Sequence, residues 1–202
     1  MQVHRHDVVA KATQLLDDYG LADLTMRRLA RELNVSPGAL YWHFADKQEL
    51  LGAVADGILE PTAGLEPEAD WQDRLMAIGS ALRNALLSRT DGAELVSASF
   101  AAGKSGAVAE VLARLGSAAA DAGLEHAHAD LAARTVLYYV LGFTADEQSR
   151  LQWDAVGALP DEQSVLASNP NGRFAFGLRL LVTGVAHAAP TVRADVGVRP
   201  SD

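Results

Sequence analysis

The segment from Leu24 to Leu50, LTMRRLARELNVSPGALYWHFADKQEL, constrains the fold more than any other part of the chain, because it carries the signals of two short helices and the start of a third. Met26, Leu29, Ala30 and Leu33 recur at i, i+3, i+4 and i+7, which gives the first helix one apolar face and leaves Arg27, Arg28 and Arg31 free to point elsewhere. A turn is predicted at Asn34-Val35. Ser36 then stands at an N-cap position with Pro37 at the first helical residue, where its missing N–H costs nothing. Val35 and Leu40 can close a hydrophobic staple, and Leu40 with Phe44 anchors the second helix to a core. Asp46 followed by Glu49 is a capping-box-like start for the next helix, with Lys47 in its first turn.

With Leu40 and Phe44 inward, Pro37, Gly38, Ala39, Tyr41, Trp42 and His43 occupy the N-terminus and outer surface of the second helix. Large rings left outside a small core do little for stability. They suit a major groove, which the second helix of a helix-turn-helix enters with its N-terminal residues at the base edges while flanking groups hold phosphates. From Val8 to Ile58 the chain resembles the DNA-binding domain of the tetracycline-repressor (TetR) family of bacterial transcriptional regulators. The run LYWHF followed by Lys47 is similar to the tetracycline repressors themselves. The resemblance implies that Arg27 reads a base, that Tyr41, Trp42 and His43 face the groove or its phosphate walls, and that Thr25, Arg28 and Lys47 hold the backbone. Ser36, Pro37, Gly38 and Ala39 complete the expected DNA surface. Several relatives carry Gln or Thr where this chain has Pro37, Gly38 and Ala39, so contact with thymine methyls is expected to take the place of hydrogen-bonded readout there.

The charge balance is consistent with such a head on a different kind of body. The formal net charge of the 202 residues is −9, yet Arg27, Arg28, Arg31 and Lys47 against Glu32 and Asp46 leave the head locally at +2. An acidic body behind a basic head orients the molecule on DNA and suppresses non-specific sticking. The absence of cysteine excludes disulfides, thiolate metal sites and a cysteine nucleophile. MQVHRHDVV has no apolar signal core, and no apolar run approaches the ~20 residues of a membrane helix. A cytoplasmic protein with no membrane partner is expected.

The expected fold is all-α: an N-terminal three-helix helix-turn-helix domain over residues 1–47, and a larger helical effector-binding and dimerisation domain over 48–202. The first helix carries Val8, Val9, Ala12, Leu15, Leu16 and Tyr19 and is expected to stop at Gly20. A fourth helix starts near Asp46 and runs through Leu50, Leu51, Val54 and Ile58 to a boundary marked by Pro61, Gly64 and Pro67. Further helices are predicted near 71–88, 93–101, 105–121, 125–148 and 172–187, with a loop from Asp154 to Arg173 holding a short helix near 162–167, and a disordered tail from Pro190. The helices at 125–148 and 172–187, the second with Phe174, Leu178, Leu181 and Val185 on one stripe, are expected to build a four-helix interface in a homodimer.

The body extends the resemblance. Trp71, Gln72 and the run Ala85-Leu86-Leu87 with Asp91-Gly92-Ala93 resemble the fifth and sixth helices of tetracycline repressors, and Leu141-Gly142 with Gln148 their eighth. The resemblance implies a small-molecule sensor. Its tetracycline contacts are missing: Val96 replaces a metal-binding His, Ile78 an Asn and Phe100 an Arg, while Asp146 alone does not make a magnesium site. The expected wall of the effector cavity is Trp71, Leu75, Ile78, Leu82, Val96, Ser99, Phe100, Leu115, Tyr138, Tyr139 and Phe143. Such a wall suits an apolar or aromatic effector without metal or cofactor. His126 and His128 lie about 200° apart on a helix and cannot share one ion. With no GxSxG, HExxH or P-loop, catalysis has no motif to stand on. The leading reading is a ligand-responsive repressor that binds double-stranded operator DNA. The alternative is an architectural or co-regulator dimer whose body binds a protein.

Overall fold

The computed structural model describes residues 3–64, 70–159 and 169–189, and every regular element among them is helical. The chain runs α1 (Arg5–Asp23), α2 (Met26–Glu32), α3 (Pro37–Tyr41), α4 (Lys47–Leu59), a 3-10 turn (Glu60–Thr62), α5 (Trp71–Leu87), α6 (Gly92–Ala102), α7 (Gly106–Asp121), α8 (His126–Ala155) and α9 (Pro170–Ala188). The short helix expected near 162–167 and the tail from Pro190 lie outside the described residues.

Helices α1 to α3 close around Val8, Ala12, Leu15, Leu16, Leu24, Leu29, Leu40 and Phe44, all buried. The turn between α2 and α3 is fixed by the backbone itself. Val35 N donates to Ala30 O at 2.9 Å and Asn34 N to Arg31 O at 3.1 Å, with Asn34 in the left-handed region at φ 54°; asparagine tolerates this better than most residues. Thr25 Oγ1 caps α2 by accepting Arg28 N, and Asp46 Oδ1 caps α4 by accepting Glu49 N at 2.7 Å. Ser36 occupies the N-cap of α3, but its side chain makes no capping bond, so the fixed φ of Pro37 and the buried Leu40 carry that helix start.

Two boundaries differ from the sequence expectation. Gly20 takes φ 78° as predicted for a helix end, yet the chain resumes helical turns to Asp23, so α1 is kinked there. The eighth helix continues past residue 148 to Ala155, because Gln148 and Gln152 on its last turns have partners in the turn before α6.

Helix α4 ties head to body. Its buried Leu50, Leu51, Val54, Ala55, Ile58 and Leu59 face α1 on one side and α6 and α7 on the other. At Gly52 the backbones approach so closely that an added Cβ would lie 2.1 Å from Lys104 O, in the α6–α7 turn. One turn later, Asp56 Oδ1 accepts Ser105 Oγ at 2.6 Å and Ala107 N at 3.0 Å at the N-terminus of α7, a favourable place for a carboxylate. A division at residue 47 therefore falls at the first residue of a helix that both units share.

The body packs α5, α7, α8 and α9 around Leu75, Ile78, Leu82, Leu86, Leu115, Val136, Leu137, Val140 and Leu178. Within it Arg83 donates Nε and Nη2 to the two carboxylate oxygens of Glu147 at 2.8 and 2.6 Å, and Nη1 to Asn171 Oδ1 at 2.9 Å. Arg83 and Glu147 are both buried, so loss of one partner would strand a charge at a cost of ~3–5 kcal/mol. The guanidinium also stands 5.0 Å from the Phe174 ring centroid, which joins α5, α8 and α9 at one point.

Candidate nucleic-acid interface and body grooves

On the head, α3 buries Leu40 and, just beyond it, Phe44, which turns Tyr41 and Trp42 outward. Tyr41 is 52% exposed and Trp42 89%, an unusual exposure for rings of this size on a five-residue helix. Ser36, Pro37 and Gly38 are exposed, Ala39, His43 and Lys47 half-buried, and Thr25 and Arg27 exposed beside them. The expected surface is therefore brought together, with one correction. Arg28 is not free to hold a phosphate: Nη1 donates to Asp23 Oδ1 at 2.8 Å, the guanidinium lies 3.7 Å from the Tyr19 ring centroid, and the side chain is 20% exposed. It joins α2 to α1 instead.

A contact that sequence patterns did not reveal, between Arg5 and the α3–α4 turn, adjoins this surface. Arg5 donates to His43 O and to Glu49 Oε1, and Glu49 Oε2 accepts Ala45 N at 2.8 Å. The backbone hydrogen bond from Ala45, then that from Arg5, lowers the Glu49 pKa from its ordinary 4.5. The predicted capping box is thus half realised, since Glu49 reaches Ala45 N and not the N–H of Asp46. The Ser88–Asp91 turn grips the other end of the head: Arg89 pairs with Asp17 at 2.8 Å, and Thr90 Oγ1 donates to Asp17 O at 3.1 Å.

In the body, the residues of the expected effector wall lie in four different environments. Leu75, Ile78, Leu82, Val96, Ser99 and Leu115 are buried in the helical core. Tyr139 and Phe143 pack with Phe174, the Tyr139 hydroxyl donating to Phe174 O at 2.8 Å. Burial raises the Tyr139 pKa, and the nearby Arg83 charge opposes this, so the hydroxyl stays protonated as a donor. Trp71 and Phe100 are half-buried. Tyr138, also on the expected wall, points about 100° away from Tyr139; it is 58% exposed, 5.9 Å from Phe100, and lines an open groove.

Two open grooves flank α8. One, of about 630 Å³, lies between α6 and α8 and is lined by Asp91, Glu94, Ser97, Tyr138, Gly142 and Gln148 among others. The second, of about 400 Å³, lies between α8 and α9 and is lined mostly by apolar residues, including Leu124, Ala132, Val136, Leu180, Leu181 and Val185. Ser99 Oγ and Thr144 Oγ1 are buried on α6 and α8 without a hydrogen-bond partner among the described residues. No group of three or more His, Asp or Glu side chains among the described residues is placed to hold a metal ion, and no helix among them is long and apolar enough to cross a membrane.

Comparison with known proteins agrees with this architecture along nearly the whole chain. Residues 8–54 match the model of bacterial regulatory proteins of the tetR family, and residues 63–159 match the tetracyclin repressor-like C-terminal domain. The class C tetracycline repressor of Escherichia coli is 30% identical over 191 residues, covering 93% of this chain and 85% of that protein. The crystal structure of Mycobacterium smegmatis BioQ superimposes with a TM-score of 0.86 at 60% identity, over 92% of this chain and 99% of that one. A structure of BioQ with its double-stranded DNA operator gives 0.80 at 57% identity over the same shares. With the head, the linking helix and the body all accounted for, the chain belongs to the TetR family of bacterial regulatory proteins and is a DNA-binding transcriptional regulator.

Proposed function

We propose that the chain is a homodimeric repressor that reads a palindromic operator with two copies of α3 and is released by a small apolar or aromatic effector. The outward Tyr41 and Trp42 over an inward Leu40 and Phe44 carry this reading, because that arrangement sacrifices burial of two large rings for a surface that fits a groove. In it, Arg27 reads a base, Tyr41, Trp42 and His43 meet the groove and its walls, and Thr25 and Lys47 hold phosphates. BioQ, whose structure with an operator is similar over most of the chain, supports the same use of the head.

Dimerisation is supported by the apolar surface that α8 and α9 leave open. Leu131 on α8 and Phe176 and Leu180 on α9 are each more than half exposed, and Leu180 lines the apolar groove between those helices. Covered by the same surface of a second copy, they form an isologous four-helix contact that spaces two α3 helices about one DNA turn apart.

The effector reading rests on Ser99 Oγ, buried without a hydrogen-bond partner among the described residues, and on Tyr138, which lines the α6–α8 groove and stands against Phe100. A ligand that parts α6 from α8 moves the α6–α7 turn against Gly52 and thereby tilts α4. Gel shifts on a duplex selected from a randomised pool test the whole reading. Binding relieved by an apolar compound supports it, and binding relieved only by a protein from the same cells favours the co-regulator alternative.

A further inference from the structure

The α3–α4 turn is held by two side chains from outside it, Arg5 of α1 and Glu49 of α4. Helix α3 has five residues, too few to be stable alone, and ends at Tyr41. Its C-terminal turn is closed by His43 N and Phe44 N, both donating to Leu40 O at 2.9 and 3.0 Å. Beyond that turn, the next backbone groups are satisfied by side chains. His43 O accepts Arg5 Nη1 from α1, and Ala45 N donates to Glu49 from α4. Arg5 and Glu49 bond each other at 3.2 Å, and the Arg5 guanidinium covers the Phe44 ring at 4.1 Å from its centroid.

We infer that Arg5 and Glu49 are positioning residues for DNA reading: together they fix the backbone at 43–45 and so set the pose of Tyr41, Trp42 and His43. The inference rests on the proposed use of α3 in the groove. The Arg5–Glu49 ion pair itself adds little to stability, since the two side chains are 52% and 35% exposed, and the part Glu49 plays in stability runs through its bond to Ala45 N. What the pair supplies is geometry. Arg5 Nη1 serves both the His43 carbonyl and the Glu49 carboxylate while the planar guanidinium stacks on the Phe44 ring; an ammonium can supply the charge but not that stack.

The test uses the full chain and a duplex that the unmodified chain selects from a randomised pool. Arg5→Ala and Arg5→Lys should each weaken binding to that duplex about tenfold, while the salt dependence and the melting temperature stay as in the unmodified chain. Glu49→Ala should weaken it comparably, and the Arg5→Ala/Glu49→Ala double variant no further than the stronger single one. The Trp42 indole N–H signal, read by NMR without DNA, should shift in all four. Rescue by Arg5→Lys, with the Arg5→Ala salt slope reduced by about one contact per subunit, would overturn the inference by making Arg5 a phosphate grip. Unchanged affinity in Arg5→Ala would also overturn it while leaving the reading of α3 intact. Failure of the unmodified chain to select any duplex would overturn that reading, and the inference with it.

Discussion

Asp91 Oδ2 accepts the backbone N–H of Leu21 at 2.9 Å, joining the turn before α6 to the last part of α1 across 70 residues of sequence. The other carboxylate oxygen accepts Gln152 Nε2 of α8 at 2.7 Å, and Asp91 itself takes a left-handed φ of 52°. One carboxylate thus connects the head, the α5–α6 turn and the longest helix of the body. It also lines the groove between α6 and α8, so whatever enters that groove acts beside the link to the head.

Asp91→Asn tests the link while keeping a residue that tolerates the left-handed backbone. An amide presents one acceptor where two donors converge, so one bond is lost and stability should fall by ~1–3 kcal/mol. Urea unfolding measures the loss, and exchange at the Leu21 backbone amide or the Gln152 side-chain amide, whichever loses its acceptor, should quicken relative to the head core. Unchanged exchange at both sites would show that the two units are held by packing alone.

The pH dependence of the head follows from Glu49. Its folded pKa is lowered from 4.5, so its contribution to stability is fully present above the unfolded value and is lost as pH falls through the folded one. Arg5 favours the charged form and Asp46 opposes it. The difference in urea midpoint between the unmodified chain and Glu49→Gln should therefore be constant from about pH 6 to 8 and shrink only in acid, below about pH 4.5. A difference that changes across neutrality would contradict the assignment.

Position along α9 separates the proposed interface from the core. Leu178 is fully buried, and an added Cβ on Gly79 of α5 would lie 2.7 Å from its Cδ2, whereas Phe176 and Leu180 are 59% and 57% exposed. Leu178→Glu should unfold the chain, because it buries an unpaired charge. Leu180→Glu or Phe176→Glu should instead give folded monomers by light scattering and circular dichroism. A Leu180→Glu variant that remains a dimer would place the interface elsewhere.

The head was legible from sequence because its determinants are local: Pro37, the Asp46 cap and the Leu40/Phe44 spacing act within a few residues. The links between units were not, because Arg83 meets Glu147 across 64 residues and Asp91 meets Leu21 across 70, and no periodicity encodes such pairs. Arg28 looked free because its partners, Asp23 and Tyr19, belong to the preceding helix. The proposed effector wall was read as one set because its members are all apolar or aromatic. In an all-helical body that composition also describes the core, which is where Leu75, Ile78, Leu82, Val96 and Leu115 lie.

In the proposed function, α3 reads duplex DNA as one half of a symmetric pair. The most direct measurement is selection of bound duplexes from a randomised pool by the full chain, followed by titration of the chosen sequence against a scrambled one with Arg27→Ala alongside. The expected result is an inverted repeat with half-site centres about one turn, ~34–36 Å, apart, and a loss of ~1–3 kcal/mol in Arg27→Ala confined to one base pair per half-site. Enrichment of no common sequence, or equal loss on selected and scrambled duplexes in Arg27→Ala, would contradict it.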